Sequence, residues 1–135
     1  MSSNEGRKRE ALQRLQSVLE TVEQCIDIII VEGQRDLTAL RRLGYEGEIL
    51  SYSQFRVNDY DLTDEVSKKH DNVLILTDFD REGREINHRL VSLFQYRGVK
   101  VEMGFRWEIR RIMASLGLYA IESLDDIKEY ERFYY

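Results

Sequence analysis

The sequence predicts an α/β fold, with about four strands in a mainly parallel sheet flanked by helices, one helix ahead of the sheet and a helical tail behind it. Three observations carry this. Ile26 to Val31 and Val73 to Leu76 are nearly continuous aliphatic runs, the pattern of strands covered on both faces. Each run gives way within a few residues to apolar positions at helical spacing. Short strands that alternate with helices in this way build a parallel sheet through right-handed crossovers, and 135 residues suit one hydrophobic core.

Taken in order, Leu12, Leu15, Val18, Leu19 and Val22 predict an amphipathic first helix after a polar start. The first strand, Ile26 to Val31, ends at Glu32-Gly33, and a short helix from Gln34 to Leu43 stops at Gly44. Glu48 to Tyr52 is a second strand candidate, Ser53 to Asn58 a loop, and Asp61 to Lys69 a helix with Asp61 or Thr63 as its cap. The strand Asn72 to Thr77 leads directly into Asp78-Phe79-Asp80-Arg81-Glu82-Gly83. A helix from about Arg84 to Tyr96 then turns Ile86, Leu90, Leu93 and Phe94 to the core and stops near Gly98, and Val99 to Met103 is the fourth strand candidate. Two helical pieces, Trp107 to Leu116 and Leu124 to Phe133, follow on either side of Gly117. The implied division is an N-terminal helical extension at 1–25, a core at 26–104 and a C-terminal extension packed on it at 105–135.

Composition narrows the function classes. No apolar run approaches the roughly 18 residues of a membrane span, and Met1 to Glu10 is too charged for a secretory signal. The single Cys25 forms no internal disulfide and has no zinc-ligand neighbours, so the expectation is a cytoplasmic protein. A net charge of -5 argues against simple phosphate-backbone binding, but the charge is uneven. Between Arg81 and Arg111 eight basic residues face four acidic ones, net +4, which leaves -9 for the remainder.

The chemistry-bearing residues are acids at strand ends. Loops leaving the carboxyl ends of neighbouring parallel strands converge on one crevice. Glu32 leaves the first strand there and Asp78 the third, while Asp80 lies two residues on, a spacing that directs both aspartates to one side of an extended chain. Three gathered carboxylates raise one another's pKa unless a divalent cation neutralises them. Hard oxygen donors favour Mg²⁺ (or Mn²⁺), which shares its coordination with phosphate oxygens and water and suits phosphodiester chemistry. Glu32 is a candidate either for a metal ligand or for a general acid or base. A Glu-Gly after a strand or a lone Asp-x-Asp is ordinarily a turn or a helix cap; the weight lies in two long apolar strands that each end in an acidic motif.

These motifs resemble those of Toprim domains. Val31-Glu32-Gly33-Gln34-Arg35-Asp36 is similar to the family's Glu-Gly-x-x-Asp motif. Thr77-Asp78-Phe79-Asp80-Arg81-Glu82-Gly83 is similar to its Asp-x-Asp motif, with a continuation like that of type IA topoisomerases. The resemblance spans about Ile26 to Met103. It implies the Toprim, Rossmann-like fold, Glu32 as the family's glutamate, Asp78 and Asp80 as metal-binding aspartates, and Gly33, Asp36 and Gly83 as supporting residues, Asp36 in a structural or a catalytic part. Toprim domains serve topoisomerases, bacterial-type primases, OLD-family nucleases, recombination mediators and the maturase of bacterial 5S ribosomal RNA. At this chain length no room is expected for a tyrosine-bearing gate domain or a primase template region, and one cysteine supplies no zinc module. The expectation is therefore a small stand-alone Toprim protein acting in metal-dependent, nucleolytic RNA processing, RNA favoured over DNA. The alternative is a binding module within a ribonucleoprotein or DNA-repair assembly, with a protein partner or a homodimer possible in either case.

Beside the acids, Arg81 and Arg84 begin a helix whose N-terminal N–H groups attract phosphate, and they are the candidate nucleic-acid contacts. The alternative for Arg84 and His88 is a solvated face with Glu–Arg pairing, and His70 and His88 are expected at the surface rather than as ligands. Arg106-Trp107-Glu108-Ile109-Arg110-Arg111 combines stacking and cationic groups of the kind used on single strands, although packing of Trp107 in the core is the expectation. Tyr130, Phe133, Tyr134 and Tyr135 are expected to form a packing cluster or an oligomer contact.

Overall fold

A computed structural model describes residues 3–55 and 58–125. Helix α1 (Ser3–Cys25) precedes β1 (Ile28–Val31), α2 (Gln34–Arg42), β2 (Ile49–Ser51), α3 (Asp59–Ser67), β3 (Asn72–Leu76), α4 (Arg81–Tyr96), β4 (Lys100–Val101) and α5 (Met103–Ala114), with single 3₁₀ turns at Tyr52–Gln54 and Ile121–Ser123. The four strands form one sheet in the order β2-β1-β3-β4, every pair parallel.

The period-two alternation of strands sorts the aliphatic runs to two faces. Ile29 and Val31 of β1, with Leu74 and Leu76 of β3, join Leu12, Leu15, Leu19 and Val22 of α1, Leu40 of α2 and Ile109, Ile112 and Met113 of α5 in one core layer. Ile28, Ile30, Val73 and Ile75 point the other way, to Leu62 and Val66 of α3 and Ile86, Leu90 and Phe94 of α4. Burial on both faces explains why β1 and β3 read as unbroken hydrophobic runs. From β1 the chain first moves outward to β2, then returns past β1 to β3 and on to β4. The reversal lies between β1 and β3, the point of an open α/β sheet where loops diverge and leave a crevice at the carboxyl ends. Register pairs Val31 with Leu76, so the residues that follow each strand emerge at one level.

Several predicted boundaries shift, each for a local reason. Helix α3 starts at Asp59 because Asn58, rather than Asp61 or Thr63, caps it: Asn58 Oδ1 accepts the Asp61 N–H at 2.8 Å. Helix α4 starts at Arg81, three residues early, because Asp80 is its N-cap. Strand β4 holds only two residues, since α5 starts at Met103. Leu93 is only partly buried, the core-facing line of α4 passing through Gly83, Ile86, Leu90 and Phe94. Gly98 and Gly117 take φ of 77° and 72° after α4 and α5, the left-handed conformation that ends helices and that glycine adopts without strain. Of the helix expected at Leu124 to Phe133, and of the C-terminal aromatic cluster, only Leu124 and Asp125 fall within the described residues. No helix among the described residues is long and apolar enough to cross a membrane.

Candidate functional site

Glu32 and Asp78 meet at the crevice between β1 and β3. The Asp78 N–H donates to Glu32 Oε1 at 2.9 Å, as the pairing of Val31 with Leu76 arranges. The same Glu32 oxygen lies against Gly83 in the first turn of α4. A methyl group built on Gly83 would meet Glu32 Oε1 and the carbonyl carbon of Asp78 at 2.7 Å each, and the Asp78 carbonyl oxygen closer still. Glycine at this position is therefore a requirement of space, because the helix packs its backbone directly on the strand-end turn. Thr77 Oγ1 donates to the Gly83 carbonyl at 2.6 Å and secures that approach.

Each acid has one oxygen engaged by a backbone N–H. The Ile121 N–H donates to Asp78 Oδ1 at 2.9 Å, and the Gly83 N–H donates to Asp80 Oδ1 at 2.7 Å, the N-cap bond of α4. Asp36 is buried in the first turn of α2, where its Oδ2 accepts the Gly33 N–H at 3.0 Å. Gly33 contributes through its backbone, by that N–H and by its carbonyl, which accepts the Leu37 N–H at 3.3 Å. Its φ of -144° is open to any residue, and a Cβ there would sit no nearer than 3.8 Å to Ser53 Oγ.

Burial and like charge act together on these acids. Burial pushes Glu32 up to about 7, the charges of Asp78, Asp80 and Asp36 add to the rise, and the Asp78 N–H opposes it. Asp36 is pushed up to about 6, again chiefly by burial and then by Asp78 and Glu122. The Asp78 carboxyl is also raised, by burial, Asp80 and Glu122, against the Ile121 N–H and Arg106. The structure thus brings Glu32, Asp78 and Asp80 within mutual electrostatic reach. Among the described residues no group of three or more His, Cys, Asp or Glu side chains is placed to hold a metal ion by itself, and Phe79 between the aspartates is buried while Asp80 is solvent-exposed. The donor chemistry still suits a hard divalent cation: Glu32 and Asp78, both with raised pKa, favour neutralisation, and Mg²⁺ completes its shell with waters and substrate oxygens rather than protein alone. Glu32, Asp78 and Asp36 also line an open cleft of about 340 Å³ with Gln34, Arg35, Ser53 and Glu122.

Arg81 and Arg84 lie on the outward face of α4, where they border a shallow groove of about 460 Å³ with Glu85, His88 and Arg89. Arg81 pairs with Glu85 at 3.3 Å in solvent, a contact worth little, whereas Arg89 is held by Asp59 at 2.9 Å. His88 is exposed, and His70 lies at 2.9 Å from Glu48.

Two contributions to the site escaped the sequence, in which Arg106 stood only as part of a candidate strand-binding segment. Arg106 of α5 donates from Nη1 to the carbonyls of Ile75 (3.2 Å) and Thr77 (2.8 Å) and to Thr77 Oγ1 (3.2 Å). It also stacks its guanidinium 4.7 Å from the Phe79 ring centre. The segment after α5 closes the other side: the Phe79 N–H donates to the Tyr119 carbonyl at 2.8 Å, beside the Ile121 bond to Asp78. These contacts span 28 to 43 positions of sequence, so no local pattern announces them. Trp107 corrects a sequence expectation. Its side chain is exposed rather than in the core, because Ile109, Ile112 and Met113 set the buried face of α5.

A doubly wound sheet with carboxylates gathered at its switch point defines an α/β domain with an acidic crevice at the strand ends. A family model for the Toprim domain matches residues 27–112, and the chain belongs to the Toprim family. Its relatives are UPF0292 proteins. The chain is 36% identical over 115 residues to that of Thermococcus sibiricus (85% of this chain, 88% of the relative). It is 38% identical over 121 residues to that of Methanocaldococcus jannaschii (87% and 92%). A solved structure of a protein from Aquifex aeolicus shares the fold with a TM-score of 0.66 at 22% identity, covering 82% of this chain and 95% of that one. Toprim membership associates the chain with metal-dependent, nucleic-acid-related function.

Proposed function

We propose that the protein performs Mg²⁺- or Mn²⁺-dependent phosphodiester cleavage on nucleic acid, with RNA processing of the 5S maturase type as its setting and Glu32, Asp78 and Asp80 as its catalytic and metal-holding acids. The observation that carries this is the corner at the sheet's switch point, where Glu32 Oε1 is wedged between the Asp78 N–H and Gly83. Asp78 and Asp80, with Glu32, would hold the cation, each aspartate having one oxygen already engaged by a backbone N–H. Once bound, such a cation would supply Lewis-acid polarisation of a phosphoryl oxygen. Glu32, with its carboxyl near neutrality, holds or releases a proton at the attacking or leaving oxygen. Arg81 and Arg84 steer the strand from the exposed face of α4, and Arg106 keeps the Thr77–Asp78 turn in place.

The test is incubation of purified protein with structured RNA and with single- and double-stranded DNA in Mg²⁺ or Mn²⁺. Cleavage that persists through repurification and disappears in Asp78→Ala and Glu32→Gln is expected. Equal cleavage by Asp78→Ala would assign the activity to a contaminant, and strand binding without cleavage would favour a binding module in a ribonucleoprotein or repair assembly.

A further inference from the structure

We propose that the outward stripe of α5 binds single-stranded nucleic acid, with Trp107 as the platform on which an unpaired base stacks. The inference rests on the nucleic-acid reading above and extends it from the acidic corner to a separate surface.

At 3.6 residues per turn, Met103, Trp107, Arg110 and Arg111 fall within about 100° of the helix circumference, opposite Ile109, Ile112 and Met113, which are buried. The stripe faces solvent: Trp107 is 56% exposed and Met103 54%, and Arg110 and Arg111 are exposed as well. Among the described residues the buried face of α5 is filled by Ile109, Ile112 and Met113, and the exposed indole is not part of that packing. Arg111 lies over the Trp107 ring, 4.9 Å from its centre, which orients the indole and sets a cation on one of its two faces. An aromatic ring flanked by guanidinium groups is the combination that accepts a base by stacking and its phosphate by charge.

Charge selects the occupant. The only acid within α5 is Glu108, one position from Trp107 and so turned away by about 100°. Two copies of this chain meeting through the stripe about a two-fold axis would set Arg110 and Arg111 against their own images, whereas a polyanion is matched to them. The apolar part of the stripe, Met103 and Trp107, is small for a protein interface. Arg106 of the same helix grips the Ile75, Thr77 and Asp78 carbonyls, so α5 is fixed to the strand end that carries the acids, and a strand held on it is held in a constant relation to them.

Trp107 is the chain's single tryptophan, so its fluorescence reports this surface alone. Titration in EDTA, where no turnover occurs, with an unstructured oligonucleotide of about 12 residues should quench it, and a duplex of equal length should quench it far less. With a labelled strand, Trp107→Ala should weaken binding about 10-fold or more and Trp107→Phe by less, both melting like the wild type. The Arg110→Ala/Arg111→Ala double variant should flatten the salt dependence. Wild-type affinity in Trp107→Ala, unchanged fluorescence while the strand binds, or no strand binding at all would overturn the proposal. So would a wild-type dimer that Trp107→Ala converts to a monomer, which would assign the stripe to a second copy. Cleavage with a silent Trp107 removes only this inference, and a responsive Trp107 without cleavage removes only the nuclease reading.

Discussion

Replacing Gly83 by alanine tests the close approach on which the acidic corner depends. The added methyl would lie 2.7 Å from both the Asp78 carbonyl carbon and Glu32 Oε1, where ordinary contact begins near 3.4 Å, and nearer still to the Asp78 carbonyl oxygen. Two of these neighbours are backbone atoms at the end of a central strand, so the relaxation has to lift the first turn of α4 away from the sheet. Overpacking of this kind costs about 1–3 kcal/mol. Lifting the turn also weakens the 2.6 Å Thr77–Gly83 bond and the 2.7 Å Gly83–Asp80 cap, each worth about 1 kcal/mol. Alanine's helix propensity returns at most about 1 kcal/mol. The balance is a loss of about 3 kcal/mol, a large fraction of the 5–15 kcal/mol typical of a domain. Gly104→Ala is the matched control, because nothing lies within 4 Å of a Cβ there, and it should be neutral or stabilising by up to about 1 kcal/mol. Urea unfolding followed by circular dichroism measures both. A Gly83→Ala midpoint equal to or above that of the wild type would refute the inferred packing.

The other expectations concern burial and charge. Asp36, raised from 3.8 to about 6, binds its proton more tightly folded than unfolded. Its contribution to stability is thus complete below about pH 4 and lost as pH rises through 6, by about 3 kcal/mol at most. Asp36→Asn, whose side-chain oxygen can still accept the Gly33 N–H, should therefore melt higher than the wild type at pH 8 in EDTA and lose that advantage near pH 4; a pH-independent difference in melting temperature would sink the argument. Arg106→Met keeps much of the side-chain volume but removes every donor to the end of β3, and hydrogen bonds from charged groups contribute about 1.5–3 kcal/mol. A destabilisation of that order is expected in chemical denaturation, with Arg106→Lys intermediate, and an unchanged midpoint would show the guanidinium to be dispensable. Tyr45 is buried, and its hydroxyl has no hydrogen-bond partner among the described residues, so Tyr45→Phe should stabilise by about 1 kcal/mol or be neutral; a clear loss in thermal melting would reveal a partner for that oxygen.

What the sequence disclosed follows from the range of the interactions involved. Strands β1 and β3 were legible because burial on both faces leaves only aliphatic residues, and α1 because its buried positions recur at 3- and 4-residue intervals. Helix starts were less legible because Asn58 and Asp80 are each one of several acceptors nearby, and which one caps depends on where the chain enters the helix. Trp107 was misread because its size suggests burial, whereas the phase of α5 is set jointly by Ile109, Ile112 and Met113. Glu32, Asp78 and Asp80 stood out as acids at strand ends. Arg106 and the Tyr119–Ile121 segment did not, since their contacts with Thr77, Asp78 and Phe79 exist only once the sheet has formed.

Those distant contacts bear on how the site tolerates its own charge. Like carboxylates repel, and burial sharpens the repulsion. Here Glu32 receives an N–H from Asp78, Asp78 one from Ile121, Asp80 one from Gly83 and Asp36 one from Gly33, so each acid is anchored by a backbone donor from a different stretch of chain. The compensation is partial, since Glu32, Asp36 and Asp78 all remain raised. Anchoring through one oxygen fixes the carboxylate plane, and the other oxygen keeps its capacity to bind. A set of acids held in place and only partly relieved by Arg106 is what the proposed cation site requires, because a cation would then supply the remaining relief. Arg106, whose charge lowers the Asp78 carboxyl, directs its hydrogen bonds to carbonyl oxygens and the Thr77 hydroxyl instead. It holds the turn without neutralising the carboxylates by direct pairing.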